Sequence, residues 1–420
     1  LTAVPRKPRG TKLNLEEEVY VREVARRTWH FFEDLVGAGD NWLPPDNLQV
    51  NPDKGLAHRT SPTNIGLYLA SIVTARDFGY ITTGQMVKKL NQTVSTLGLL
   101  PRWQGHFYNW YDTVTLRPLL PMYVSTVDSG NLIVYLLTVK EALKEWQRHP
   151  WTKSLAQGLV DTARWEQKDG KAAAEYGAYF APYVTTDPTL VEWYQLLQKA
   201  KKDELSPLSQ GATAIHLQLE EMEWFFPWLT QLDAAGEDLV LKGELDAARD
   251  FSTVLAVADR FLPLYPETEV PALVDRLALS KDRIDNFMVA GEHLVQELEA
   301  LIVAHDFTPL YDRSRRLFAI GYNVSNQRLD SSFYNLLASE ARQASFMAIA
   351  LDQVPVKHWS AMSRTSTLVD RNPVLVSWTG TAFEYLMPLL VMTCHPNTLW
   401  ERTYRLAVKN QINYGKAKKI

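Results

Sequence analysis

Apolar residues along the chain recur mostly three and four positions apart, the spacing of helix faces rather than the alternation of strands. Asn14 followed by Glu16, Glu17 and Glu18 predicts a helix start with acids at its positive end. Val21, Val24, Ala25, Phe32 and Leu35 give that helix its apolar stripe, and Gly37 closes it. Ser61-Pro62-Thr63 predicts a second helix ending near Gly79, and a third runs from about 83 to 97. Asp128 is expected to cap a fourth, whose Leu132, Ile133, Leu136, Leu137 and Val139 cover most of its circumference. Such a helix belongs deep inside a structure.

From 141 to 310 charge density rises, and helices are predicted over 151–168, 190–202, 212–233, 244–262 and 269–304. Pro227 in Trp224-Phe-Phe-Pro-Trp228 breaks one of them. Beyond 311, weakly charged helices are predicted at 330–352, 355–367, 380–394 and 398–413. No convincing strand alternation is present. The expectation is an all-α toroid or bundle: 1–140 the first part, 141–310 an all-helical insertion, 311–420 the continuation. No fixed sequence period supports a solenoid.

Composition narrows the function more than the fold. With 46% hydrophobic residues, the 420-residue chain can bury a large core. A net charge of −4 leaves no basic field for nucleic acid, and the terminal lysines 409, 416, 418 and 419 read as a solvated tail. The single cysteine, Cys394, excludes an intramolecular disulfide, fits a reducing compartment, and is expected to be a buried, inert thiol. No signal-peptide pattern or membrane-length apolar run is visible. The start at Leu1 suggests a fragment of a longer chain.

Chemistry gathers at carboxylates. In the predicted 330–352 helix, with Asp330 or Ser331 as its cap, Glu340 shares an apolar face with Leu336, Leu337 and Ala344. A carboxylate there must be hydrogen-bonded, paired, or protonated through a raised pKa. A raised pKa suits a general acid, while pairing with Arg342 or another arginine is the structural alternative. The 103–112 loop offers Trp103, Phe107, Tyr108, Trp110 and Tyr111 among His106, Asn109 and Asp112. It is either a sugar-stacking surface or a packed loop. Arg59 is placed either to clamp a carboxylate or to pair with an aspartate. Glu384 is either a site carboxylate or an acid satisfied by a helix terminus. The nine histidines lack zinc-ligand spacing, and neither a phosphate loop nor a Gly-x-Ser-x-Gly elbow occurs. No metal or cofactor is expected.

Six segments together resemble one family: His58-Arg-Thr-Ser-Pro-Thr-Asn-Ile-Gly66, Gly105-His-Phe-Tyr-Asn-Trp-Tyr-Asp112, Val124-Ser-Thr-Val-Asp-Ser-Gly-Asn131, Ile320-Gly-Tyr322, Leu336-Leu-Ala-Ser-Glu-Ala-Arg342 and Ser377-Trp-Thr-Gly-Thr-Ala-Phe-Glu-Tyr-Leu-Met-Pro388. They look like the glucoamylase-like central cyclisation (transglycosylation) domain of bacterial cyclic β-1,2-glucan synthases. The resemblance implies an α/α toroid of the six-hairpin barrel type and a retaining transglycosylation that closes linear β-1,2-glucan into rings. It implies Glu340 as one catalytic carboxylate, with an acid/base role favoured. Arg59, Trp103, His106, Tyr108, Asn109, Trp110, Tyr111, Asp112, Asp128, Arg342 and Glu384 are the implied substrate contacts.

The implied partners are linear and cyclic β-1,2-glucan and the flanking glycosyltransferase and phosphorylase-like domains of a larger protein. The implied location is the cytoplasmic face of the bacterial inner membrane. In the family the stretch matching Tyr414-Gly-Lys-Ala-Lys-Lys419 leads into a Trp-Gly-Ile-Ser-Glu-Ser-Ala-Tyr motif expected to hold the second carboxylate. The chain ends at Ile420, so an incomplete toroid, inactive alone, is expected. A β-1,2-glucan hydrolase on the same scaffold, or a non-catalytic glucan-holding domain, are the competing readings.

Overall fold

A computed structural model describes residues 13–146, 152–166, 171–202, 209–232, 239–265 and 271–419. The chain is 63% helical, which bears out the all-α class, and no closed barrel forms among the described residues. Local chemistry sets the helix starts. Asn14 accepts from the Glu17 amide at 2.9 Å, and Glu17 accepts from the Asn14 amide at 2.8 Å, closing a capping box on Leu15–Leu35. Ser61 caps Pro62–Asp77, with Pro62 supplying the first-turn φ. Phe225 ends the Ser209–Phe225 helix, and a 3-10 turn from Pro227 follows, as the proline predicts.

The Thr126–Glu145 helix is the centre of the molecule, with Leu132, Ile133, Leu136 and Val139 fully buried. Against it pack Pro62–Asp77, Ala272–Ala304 and Arg342–Ala350. Its cap is Ser125, whose Oγ accepts from the Asp128 amide at 3.2 Å. Asp128 is therefore not the cap, and its carboxylate is released for other partners. One continuous apolar core runs from Trp29 to Val354 and takes in the helices between 152 and 304. A second, smaller core is built from Ala338, Leu375, Tyr385 and Ala407 under the Leu399–Lys418 helix. No described helix is long and apolar enough to cross a membrane.

The structure departs from expectation mainly after 311. The predicted 330–352 helix is only Arg342–Ala350; neither Asp330 nor Ser331 caps it. Residues before it instead bond to a distant strand: Ile320 donates to the Ser332 carbonyl at 3.0 Å, and Tyr334 to the Phe318 carbonyl at 2.9 Å. The predicted 355–367 helix shrinks to Lys357–Ala361. A hairpin follows, pairing Ser366–Val369 with Asn372–Leu375. Its turn residues Asp370 and Arg371 both have positive φ (50° and 62°), a conformation usually signalled by Asn-Gly. The 380–394 segment is an Ala382–Leu386 helix followed by a 3-10 turn. The remaining small sheets have strands of two to four residues, too short to show alternation. Cys394 is half-buried rather than buried.

Candidate active site

The site forms where the start of the central helix meets the start of Arg342–Ala350. Gly130 permits the approach, since a Cβ there would overlap the Cβ and backbone of Ala344. Gln343 then donates to Asn131 Oδ1 at 2.6 Å, and Asn131 donates to Thr63 Oγ1 at 3.1 Å. Thr63 in turn donates to Asp128 Oδ1 at 2.6 Å, and Asn109 donates to the other Asp128 oxygen at 3.2 Å. Buried polar chains of this kind hold one arrangement, because each member satisfies the next.

Glu340 sits in the turn before Arg342–Ala350, at the seam between the two cores, where Ala338 belongs to the smaller and Ala344 to the larger. Its Oε2 is buried and accepts no hydrogen bond. Burial first, then the neighbouring charges of Asp128 and Glu384, raise its carboxyl to about 7, against a smaller opposing effect of Arg342.

Glu384 is the opposite case. Burial alone would push it up, but hydrogen bonds bring it below the usual range. Its Oε2 accepts from Thr379 Oγ1 (2.6 Å), the Thr379 amide (2.7 Å), Ser377 Oγ (3.0 Å) and the Gly380 amide (3.0 Å). A carboxyl whose proton is held up to about 7 thus shares the site with one that hydrogen bonds keep low. Divergent environments for neighbouring carboxyls are the mark of acid/base assignment. Trp378, about half exposed, lies on the loop that cradles Glu384.

Of the residues predicted from sequence, the structure brings Glu340, Glu384, Asp128 and Asn109 together. Trp103 is half-buried and stacks on Tyr322 with centroids 4.4 Å apart. Trp110 lies under Arg59, 5.0 Å from guanidinium carbon to ring centre. Arg59 itself is paired with Asp46 (2.8 Å), the structural alternative.

Five predicted contacts are taken up within the protein instead. His106 is fully buried, with Nε2 2.7 Å from the Asp306 carbonyl, so no substrate reaches it. Tyr108 and Tyr111 are core residues, and the Tyr111 hydroxyl donates to the Pro101 carbonyl at 2.5 Å while accepting from the Tyr108 amide. Arg342 is buried and taken up elsewhere: it donates to Tyr404 Oη at 2.8 Å and to the Ser339 carbonyl at 3.2 Å, and lies 4.4 Å from the Trp400 ring centre. It joins the short helix to Leu399–Lys418 and forms no ion pair with Glu340. Asp112 accepts from Val114 and Thr115 within its own turn.

Sequence reasoning missed Tyr334, which lies within electrostatic reach of Asp128, Glu340, Asp330 and Glu384. It also missed Tyr123, which donates to Asp330. Thr63 and Asn131 were visible only as parts of motifs. The three-residue spacing of Asp128 and Asn131 on one helix face was the available signal.

No protein-family model matches the chain. Over 401 residues it is 35% identical to the cyclic beta-(1,2)-glucan synthase NdvB of Rhizobium meliloti, covering 94% of this chain and 13% of that protein. The chain therefore corresponds to a segment of that synthase, as its motifs led us to expect. It spans only about an eighth of its relative's length. A beta-1,2-glucanase from Parabacteroides distasonis aligns at 10% identity over 83% of this chain and 58% of that one, with a TM-score of 0.25. A Bacteroides fragilis structure described as a "putative glucoamylase" aligns at 13% identity over 85% and 96% respectively, with a TM-score of 0.29. Scores this low carry no argument about fold or function.

Proposed function

We propose, from the correspondence of nearly the whole chain to a segment of a cyclic β-1,2-glucan synthase, that its carboxylate cleft breaks and re-forms glucosidic bonds in linear β-1,2-glucan, closing the chain into a ring. The observation that carries this is the contrast between two neighbouring carboxyls: Glu340, whose buried Oε2 has no hydrogen-bond partner, and Glu384, whose Oε2 accepts from four donors.

In this reading Glu340 gives its proton to the departing glycosidic oxygen as the C1–O bond breaks. Glu384, fixed by its four donors, supplies negative charge facing the oxocarbenium-like sugar. A hydroxyl near the far end of the same glucan then attacks C1 and returns its proton to Glu340. One glycosidic bond is lost and one is made, so no co-reactant is consumed. Linear substrate and cyclic product both carry β-linkages, so configuration is retained. The pKa of about 7 lets Glu340 act in both directions near neutrality. The glucan is supplied by glycosyltransferase and phosphorylase-like domains of a larger polypeptide at the inner membrane's cytoplasmic face.

The test incubates linear β-1,2-glucan with a longer protein carrying this chain, and with its Glu340→Gln variant. Rings are scored as products resistant to exo-β-glucosidase. The expected result is ring formation that falls at least about a hundredfold in the variant. Linear products with free reducing ends would establish hydrolysis instead. Unchanged cyclisation by Glu340→Gln in the longer protein would reduce the chain to a glucan-holding domain.

A further inference from the structure

The site is crowded with acceptors, and the substrate proposed above makes that a problem. In β-1,2-glucan every internal glucose carries its neighbour on O2, so O2 is an ether oxygen that accepts hydrogen bonds and cannot donate them. Ionised carboxylates only accept. Asp128, Asp330 and Glu384 can hold free sugar hydroxyls but not the linkage oxygen, and the proton of Glu340 is committed to the leaving group. Recognition of the linkage needs a neutral donor inside the acidic cluster.

Several other donors there are already engaged. Thr63 Oγ1 and Asn109 Nδ2 donate to Asp128, Tyr123 to Asp330, and Gln343 Nε2 to Asn131. The Tyr135 hydroxyl is free but fully buried. Tyr334 is different: it is half-buried, and its hydroxyl bonds to no group among the described residues.

Its backbone is also firmly set. Tyr334 donates to the Phe318 carbonyl, and Phe333 bridges Ala319. The same strand receives the start of the central helix, because Thr126 Oγ1 donates to the Ala319 carbonyl at 2.7 Å and its amide to the Ile320 carbonyl at 3.1 Å. Tyr334 and Asp128 are thereby fixed to a common support.

We propose that the Tyr334 hydroxyl is the linkage-reading donor of this site, hydrogen-bonding the O2 ether oxygen of the glucose residue seated among Asp128, Glu340 and Glu384. Burial, and then the surrounding acids, hold its proton well above the ordinary phenol range, so it remains a donor at any working pH.

This inference rests on the glucan reading, and binding measurements separate the two. Calorimetric titration compares the wild-type chain with Tyr334→Phe for two probes: linear β-1,2-linked gluco-oligosaccharides, and β-1,3-linked ones whose O2 is a free hydroxyl. The ring survives the substitution and its hydroxyl holds nothing in the protein, so thermal unfolding should not move. The expected result is about five- to tenfold weaker binding of the β-1,2 probe, the effect of one neutral hydrogen bond, with a smaller loss for the β-1,3 probe, whose free O2 hydroxyl can donate to the carboxylates instead. Equal loss for both linkages, no loss, or a lowered melting temperature would overturn the role of Tyr334 while leaving the glucan reading standing. Absence of β-1,2 binding by the wild-type chain would overturn the glucan reading itself, and this inference with it.

Discussion

Replacing Glu340 by glutamine should make the protein's stability less sensitive to alkali. The native carboxyl titrates at about 7 instead of the ordinary 4.5, so between those values the folded state holds a proton that the unfolded chain has released. Wild-type stability therefore falls as pH rises through this window and is level above it. At roughly 1.4 kcal/mol per pH unit, the full rise corresponds to about 3 kcal/mol. Glu340 keeps some contact with solvent, and screening reduces the expected effect to about 1–2 kcal/mol. Glutamine has the same shape and no charge, so the advantage of the variant over wild type should grow by that amount between about pH 5 and pH 8.5. Urea unfolding at the two pH values measures it. Glu221, also raised to about 7 by burial, is present in both proteins and cancels in the comparison. Parallel stability–pH curves would refute the argument that Glu340 is held protonated by its surroundings.

Two further substitutions probe what supports the site. His106 is depressed to about 4, with burial as the main cause, so stability should be lost as pH falls from about 6.5 towards 4. His106→Gln, which keeps a donor for the Asp306 carbonyl, should flatten that acid limb by up to about 3 kcal/mol in urea midpoints. Gly130→Ala should cost about 1–3 kcal/mol by overpacking against Ala344 and weaken glucan binding as well, with Ala344→Gly partly restoring both.

What was legible in the sequence was mostly local. The Asn14–Glu17 box, the Pro227 break and the all-round apolar helix at 132–139 each carry their cause within a few residues. Glu340 was singled out for its apolar company, and its environment is indeed desolvating. The expected cause was wrong, however: its setting comes from a turn between two cores and not from a helical face. That turn is created by backbone bonds to Phe318 and Ile320 on one side and to Ser363 on the other, partners that no short window contains. The aromatic loop was undecided for a related reason. Gly105 (φ 81°) brings its backbone against the Ala304 carbonyl, and this draws His106 into the interior beside Asp306. Composition left a sugar surface and a packed loop equally open, whereas a long-range contact decided which rings turn inward.

The seam at Glu340 gives the molecule a joint through its proposed reaction centre. Asp128 is carried by the large core and Glu384 by the small one, and buried Arg342 is the clip between them through Tyr404 and Trp400. A unit built on so small a core opens more readily than the whole chain unfolds. Such an opening would separate the two acids, admit water to Glu340 and return its carboxyl to an ordinary acidity. The centre then works as a sensor of its own assembly: only the docked state holds the proton, so competence follows a sub-global equilibrium rather than the stability of the fold as a whole.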